Sequence, residues 1–152
     1  MAVNHKIKIM KRITLILITS IFIFSCNQNN KDKLIVDTST IKIEGVSTNN
    51  GGLWKANSET TDGIVKMQKL MYSFSDEENV NAYSSLKTSL EDEFTTIFQK
   101  CTMKGESHNQ LHNYLKPMIE IFEGLESSDL KICKENFSIM NTHLAGYQNY
   151  FE

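Results

Sequence analysis

Twelve consecutive residues, Cys101-Thr102-Met103-Lys104-Gly105-Glu106-Ser107-His108-Asn109-Gln110-Leu111-His112, gather a thiol, a thioether and two imidazoles in one short span. Thiolate, thioether and imidazole are soft to borderline donors. They suit Cu(I) first, then Zn(II), and not Mg or Ca. His108 and His112 stand at i and i+4, so on a helix they share a face about 6 Å apart along the axis. That spacing suits two imidazoles on one ion. His143 stands on the last helical stretch and can face the same end. The expected metal set is Cys101, Met103, His108, His112 and His143, with Cu(I) or Zn(II) as the ion. The same residues have a plainer reading, with Cys101 a small core side chain, His108 closing a helix start and His112 a solvated surface group. A third reading makes Cys101 a nucleophile and His108 its base. It lacks an orienting group, because Asn109 points around the helix. Gly-x-Ser-x-Gly, His-Glu-x-x-His and a glycine-rich phosphate loop are all absent from the sequence, so no enzyme is expected and no catalytic residue is assigned.

Four helical stretches must position these donors. From Trp54 onward the apolar residues recur at intervals of three and four. The first stretch is expected over about 61–74, capped by Thr61, with Ile64, Met67, Met71 and Phe74 inward. The second runs over about 77–100 with Tyr83, Leu86, Leu90, Phe94, Ile97 and Cys101 in line, and Lys104-Gly105 supplies a stop. The third begins at Ser107, where Ser-His-Asn-Gln matches a capping box, and carries His108, Leu111, Leu115, Met118, Phe122 and Leu125. Pro117 falls inside it and predicts a kink, because it cannot donate to Asn113. The fourth begins near Ser128-Asp129 and repeats Leu130, Cys133, Phe137, Met140, Leu144, Tyr147 and Phe151 with heptad spacing. Short connections predict an all-α, antiparallel up-down-up-down four-helix bundle over residues 54–152. In that topology the donor-rich turn lies at one end of the bundle. The methionines at 67, 71, 118 and 140 are expected to fill the core.

The chain before Trp54 reads differently. Lys6, Lys8, Lys11 and Arg12 precede a twelve-residue apolar run, Ile13 to Phe24. As a helix that run spans about 18 Å, short of a hydrocarbon core of roughly 30 Å, so it reads as a secretory signal over residues 1–25. Met10 is an alternative start. Ile23-Phe24-Ser25-Cys26 resembles a bacterial lipoprotein signal, which implies cleavage before Cys26 and acylation of that cysteine. Lipid chains there anchor the protein to a membrane. Residues 26–53 are expected as a flexible tether. It includes the polar CNQNNKDK, a possible extended segment LIVDTSTIKIEGV and the break NNGG. Asn27 after the cysteine favours the outer membrane over the inner.

Trp54-Lys55-x-Asn57 together with Cys101-Thr102-Met103-Lys104-Gly105-x-x-His108-x-x-Leu111-His112-x-x-Leu115-x-Pro117 resembles a family of small, uncharacterised bacterial envelope lipoproteins. The resemblance covers most of residues 51–125. It implies an envelope lipoprotein with a helical body, and no substrate, cofactor or catalytic residue.

Composition narrows the function classes. The chain has 152 residues and a net charge of −2, and residues 26–152 hold twelve basic against eighteen acidic residues, net −6, which disfavours nucleic acid. One proline and seven glycines disfavour a turn-rich β fold. Cys101 and Cys133 are expected at opposite ends of the bundle, too far apart for a disulfide. The first functional expectation is a tethered helical interaction module that docks an envelope protein, through apolar residues beyond the core such as Phe98, Ile119, Ile121 and Tyr150. The alternative is a soft-metal lipoprotein that binds or buffers copper or zinc.

Overall fold

The computed structural model describes residues 42–152. The expected signal over 1–25, the acylated Cys26 and the tether as far as residue 41 lie outside the described residues. Among the described residues the regular structure is entirely helical. The elements are α1 (Ser58–Ser73), α2 (Val80–Lys100), α3 (Glu106–Leu115), α4 (Pro117–Leu125), α5 (Leu130–Ala145) and a 3-10 helix, Gly146–Asn149. No helix among them is long and apolar enough to cross a membrane.

Helix α1 starts one turn before the expected Thr61. Asn57 is its extended cap residue, and Thr60 Oγ1 donates to Asn57 Oδ1 at 2.8 Å. Thr61 is released for another partner, the Tyr147 hydroxyl at 3.1 Å. The inward face is the expected one, with Ile64, Met67 and Met71 buried. Phe74 closes α1 and joins an aromatic cluster with Tyr83 and Phe137, at ring separations of 4.8 and 5.2 Å. Helix α2 begins at Val80 because Asn79 caps it, its side chain accepting from the Asn81 amide at 3.0 Å.

The expected third helix is two helices. Pro117 has no amide hydrogen to donate, so α3 stops at Leu115 and Pro117 becomes the first residue of α4. Lys116 between them keeps helical angles, φ −54 and ψ −45, so the backbone does not unwind at the break. The capping box at Ser107 does not form. The helix starts at Glu106, so Ser107 already lies inside it and its hydroxyl donates back to the Lys104 carbonyl at 3.1 Å. Gly105 precedes the helix with φ +65, a conformation that favours glycine.

Helix α5 is capped by Asp129, whose Oδ1 accepts from the Lys131 amide at 2.8 Å. Its heptad stripe stays inward to the end, with Cys133, Met140, Leu144, Tyr147 and Phe151 buried. The backbone leaves the α form at Gly146, however, and Phe151 forms a parallel bridge with Trp54.

Specific pairs register the helices. Lys66 meets Glu93 at 3.4 Å and Gly63 lies against Ile97, joining α1 to α2. Phe94 packs on Phe122 at 5.3 Å and Lys87 reaches Glu126 at 3.0 Å, joining α2 to α4 and the turn after it. Gly124 lies against Asn136 of α5, and Gln68 of α1 donates to the Leu144 carbonyl at 2.9 Å. Met67, Met71, Met118 and Met140 are all buried in the core these pairs enclose.

Residues 42–53 differ from the expected flexible tether. Ile43 is buried and its amide donates to the Tyr150 hydroxyl at 2.9 Å. The Ser47 amide donates to Gln110 Oε1 at 2.8 Å, Asn113 Nδ2 donates to the Gly45 carbonyl at 2.9 Å, and Trp54 Nε1 donates to the Ser47 carbonyl at 2.6 Å. Just after this arm, Trp54 pairs with residues 150–152. The Trp54 amide donates to the Tyr150 carbonyl at 2.7 Å, and the Glu152 amide to the Trp54 carbonyl at 3.0 Å. An arm whose backbone groups find these acceptors is part of the body.

Candidate functional site

The site grows from the junction of α2 and α3. Helix α2 ends at Lys100, and Cys101 turns extended, with φ −65 and ψ 120. The Lys100 carbonyl at this terminus accepts from Asn57 Nδ2 at 3.2 Å. The asparagine of Trp54-Lys55-x-Asn57 thus braces the residue just before the thiol. The chain then passes through Gly105 into α3, and His108 arrives beside Cys101.

Cys101 Sγ lies 3.6 Å from His108 Nδ1, and His108 Nε2 lies 3.0 Å from His112 Nε2. The two rings are nearly perpendicular, at 74°, with centroids 4.5 Å apart. Phe98, on the last turn of α2, sets its ring edge-on to His112 at 5.3 Å. Exposure rises along the row. Cys101 and His108 are half-buried and His112 is exposed. Two hydrogen arrangements satisfy every contact. In one, the thiol donates to His108 Nδ1 and His108 Nε2–H donates to His112. In the other, both donations run the opposite way. Either way each nitrogen of His108 has its own partner.

That last point corrects the expected five-donor set. Among the described residues, no three Cys, His, Asp or Glu side chains are arranged to hold one ion. Nδ1 and Nε2 point away from each other across the imidazole ring, so the side that meets Cys101 is not the side that meets His112. Met103 is half-buried and packs on the hydrophobic core. His143 is committed elsewhere. It is buried on α5, its Nε2 donates to the Tyr114 carbonyl at 2.8 Å, and its ring lies 4.6 Å from that of Tyr114. Burial lowers its pKa below the ordinary histidine value, with the hydrogen bond opposing. Its place beside Tyr114 braces the chain next to the Pro117 break. Fourth-helix position alone did not reveal which neighbour would claim the ring.

Sequence reading missed three contributors. Asn57 was signalled by its motif, but its partner was not. Phe98 was offered as a docking residue and instead also walls His112. Tyr147, in the 3-10 helix after α5, holds the Thr61 hydroxyl at 3.1 Å. Its hydroxyl is pushed up in pKa by burial, the Thr61 hydrogen bond opposes this, and the negative charge available to Cys101 adds to the rise. The expected apolar docking patch is only partly present. Phe98 and Ile119 are 42% and 51% exposed, whereas Ile121 and Tyr150 are buried at 6% each. Ile121 turns toward the core of the kinked rod, and Tyr150 is consumed by the arm.

Cys101 and Cys133 are both free thiols. Cys133 is fully buried and donates to the Ser127 carbonyl at 3.1 Å, and burial raises its pKa. No family model, curated protein or solved structure matches the chain.

Proposed function

We propose that this chain is a lipid-anchored protein of the bacterial envelope whose helical body holds a borderline metal ion, Zn(II) ahead of Cu(I), between His108 and His112. One observation carries the reading. The two Nε2 atoms face each other across 3.0 Å at i and i+4 on α3. Zinc binds imidazole nitrogen at about 2.0–2.1 Å, and a tetrahedral angle separates two such nitrogens by about 3.3–3.4 Å. The pair therefore opens by about 0.3–0.4 Å to admit the ion. A linear Cu(I) site needs roughly 4 Å between its donors, a larger rearrangement, and a donor pair of imidazoles alone lacks the sulfur that favours Cu(I). Cys101 keeps the Nδ1 side of His108, which determines the nitrogen that faces the ion. Water fills the remaining positions.

The body is an antiparallel up-down-up-down four-helix bundle in which α3 and α4 form one broken rod. Crossed pairings support it: residue 63 with 97 and 74 with 83, then 124 with 136, then 68 with 144. The basic n-region, the short apolar run and Ile-Phe-Ser-Cys support secretion and anchoring at Cys26. A second reading, the interaction module, draws support from exposed Ile119, Ile132 and Ile139, at 51%, 41% and 52%.

Equilibrium dialysis of the full chain in detergent tests the metal reading. One Zn(II) per chain is expected with a Kd tighter than about 10 µM, and His112→Ala weakens it at least about tenfold. Weaker binding, or equal binding by His112→Ala, refutes it. Cys26→Ser moves the protein from the membrane to the soluble fraction, and a variant that stays in the membrane refutes the anchor.

A further inference from the structure

We infer that the cleft between the arm and α5 binds a small, uncharged molecule with an apolar body and one O–H or N–H group, which donates to His143 Nδ1. The cleft has a volume of about 400 Å³ and lies between residues 42–44, Pro117 and the later turns of α5. That volume is in the range of small-molecule sites. None of its lining residues belongs to the His108–His112 pair. His143 lines it although that residue is only 8% exposed.

Tyr114 holds this imidazole in place twice. Its carbonyl accepts from Nε2 at 2.8 Å, and its hydroxyl donates to the His143 carbonyl at 3.1 Å. A carbonyl only accepts, so the proton sits on Nε2 and Nδ1 of the neutral ring carries a lone pair. Burial favours that neutral form by lowering the pKa. Among the described residues no group donates to Nδ1, and no buried side-chain nitrogen or oxygen lacks a partner. Nδ1 therefore reaches the protein surface, and the surface His143 lines is the cleft. A fixed acceptor without a protein donor is completed by a donor from outside. The rest of the cleft selects for an apolar, uncharged body. Ile43 is buried, Pro117 half-buried, and Ile139 leaves 52% of its surface for a ligand to cover. Lys42 and Glu44 line the cleft with opposite charges and are both exposed, so neither sign of ligand is favoured. The Ser138 and Thr142 hydroxyls also line it, and a hydroxyl accommodates a donor or an acceptor alike.

Phenol and anisole are the probes, because they share an apolar ring and only phenol carries a donor. Equilibrium dialysis of the full chain in detergent, against detergent alone, gives the affinities, and nitrogen-15 NMR of labelled histidine locates the contact. Phenol is expected to bind with a Kd tighter than about 1 mM and to move the His143 Nδ1 resonance. Anisole should bind at least about threefold more weakly, since one hydrogen bond is worth about two- to tenfold in affinity. His143→Gln keeps a donor for the Tyr114 carbonyl and removes Nδ1, so phenol should fall to the affinity of anisole. Ile139→Ser, at an exposed position, should weaken both probes at least about threefold. Phenol binding no greater than the detergent blank overturns the inference. So do equal affinities for the two probes, undiminished phenol binding by His143→Gln, and a phenol shift at His5, His108 or His112 in place of His143. If circular dichroism shows that His143→Gln does not fold, Ile139→Ser decides. Weaker phenol binding by that variant supports the site, and unchanged binding overturns it.

Discussion

Gly63→Ala probes a close approach of α1 to α2. A Cβ added at Gly63 meets the Ile97 side chain, with Cδ1 at 2.9 Å and Cγ1 closer still, while the Glu93 carbonyl at 3.9 Å is ordinary contact. Ile97 is fully buried, so it has no solvent side to swing into. Two effects oppose. Alanine gains about 0.8–1.0 kcal/mol over glycine in a helix interior. Overpacking a filled core costs roughly 1–3 kcal/mol. Overpacking wins, and Gly63→Ala is expected to lose about 1 kcal/mol net. In the background of Ile97→Ala, which alone costs roughly 2–5 kcal/mol through its cavity, the obstructing atoms are gone. The same Gly63→Ala change then stabilises by about 1 kcal/mol. The sign of the effect inverts, and the coupling energy is about 2 kcal/mol. Urea unfolding of the four proteins in this cycle measures it. A stabilising Gly63→Ala in the wild-type background, or equal effects in both backgrounds, would show that α1 and α2 are not registered at this pair. The pair also bears on function, because Ile97 lies one turn before Cys101 and any outward shift of α2 there moves the thiol.

Asp129→Ala removes the side chain that accepts from the Lys131 amide at 2.8 Å, and about 1 kcal/mol of stability should go with it. Urea midpoints check this, and a loss below about 0.3 kcal/mol would mean that the cap contributes nothing. His143 sets a pH dependence. Its folded pKa is depressed by burial, so the unfolded chain binds the proton more readily. Stability contributed by the neutral ring is present above the ordinary histidine value of about 6.5 and is lost as pH falls from there toward the folded value, at no more than about 1.4 kcal/mol per pH unit. His143→Gln should flatten that part of the curve in denaturant melts run from pH 7.5 to 5. An unchanged slope would assign the acid sensitivity to other groups.

The helical faces were legible because burial follows a local period. Ile64, Met67 and Met71, then Leu111, Leu115 and Met118, sit inward as their spacing requires. The ends were less legible. The first helix passes Thr61 because Asn57 competes for the cap, and Ser107 loses its capping role because Glu106 is already helical. These are contests between neighbours of similar strength, and small energies decide them. The arm at 42–53 was illegible for a different reason. Its acceptors, the Tyr150 hydroxyl and the Gln110 side chain, lie 107 and 63 residues away in sequence.

Sequence alone determined that His108 and His112 share a helical face, because four residues of an α-helix turn through slightly more than one revolution. It also determined that Pro117 breaks the rod, because a missing amide hydrogen is a property of the residue. Only the tertiary structure decided which donors meet. Cys101 reaches His108 through the turn at Gly105 that joins α2 to α3, and His143 is withheld because Tyr114 offers it a buried carbonyl first. A ring nitrogen bonds whichever group the packed chain brings within about 3 Å, and that distance is set by the core, not by any local spacing.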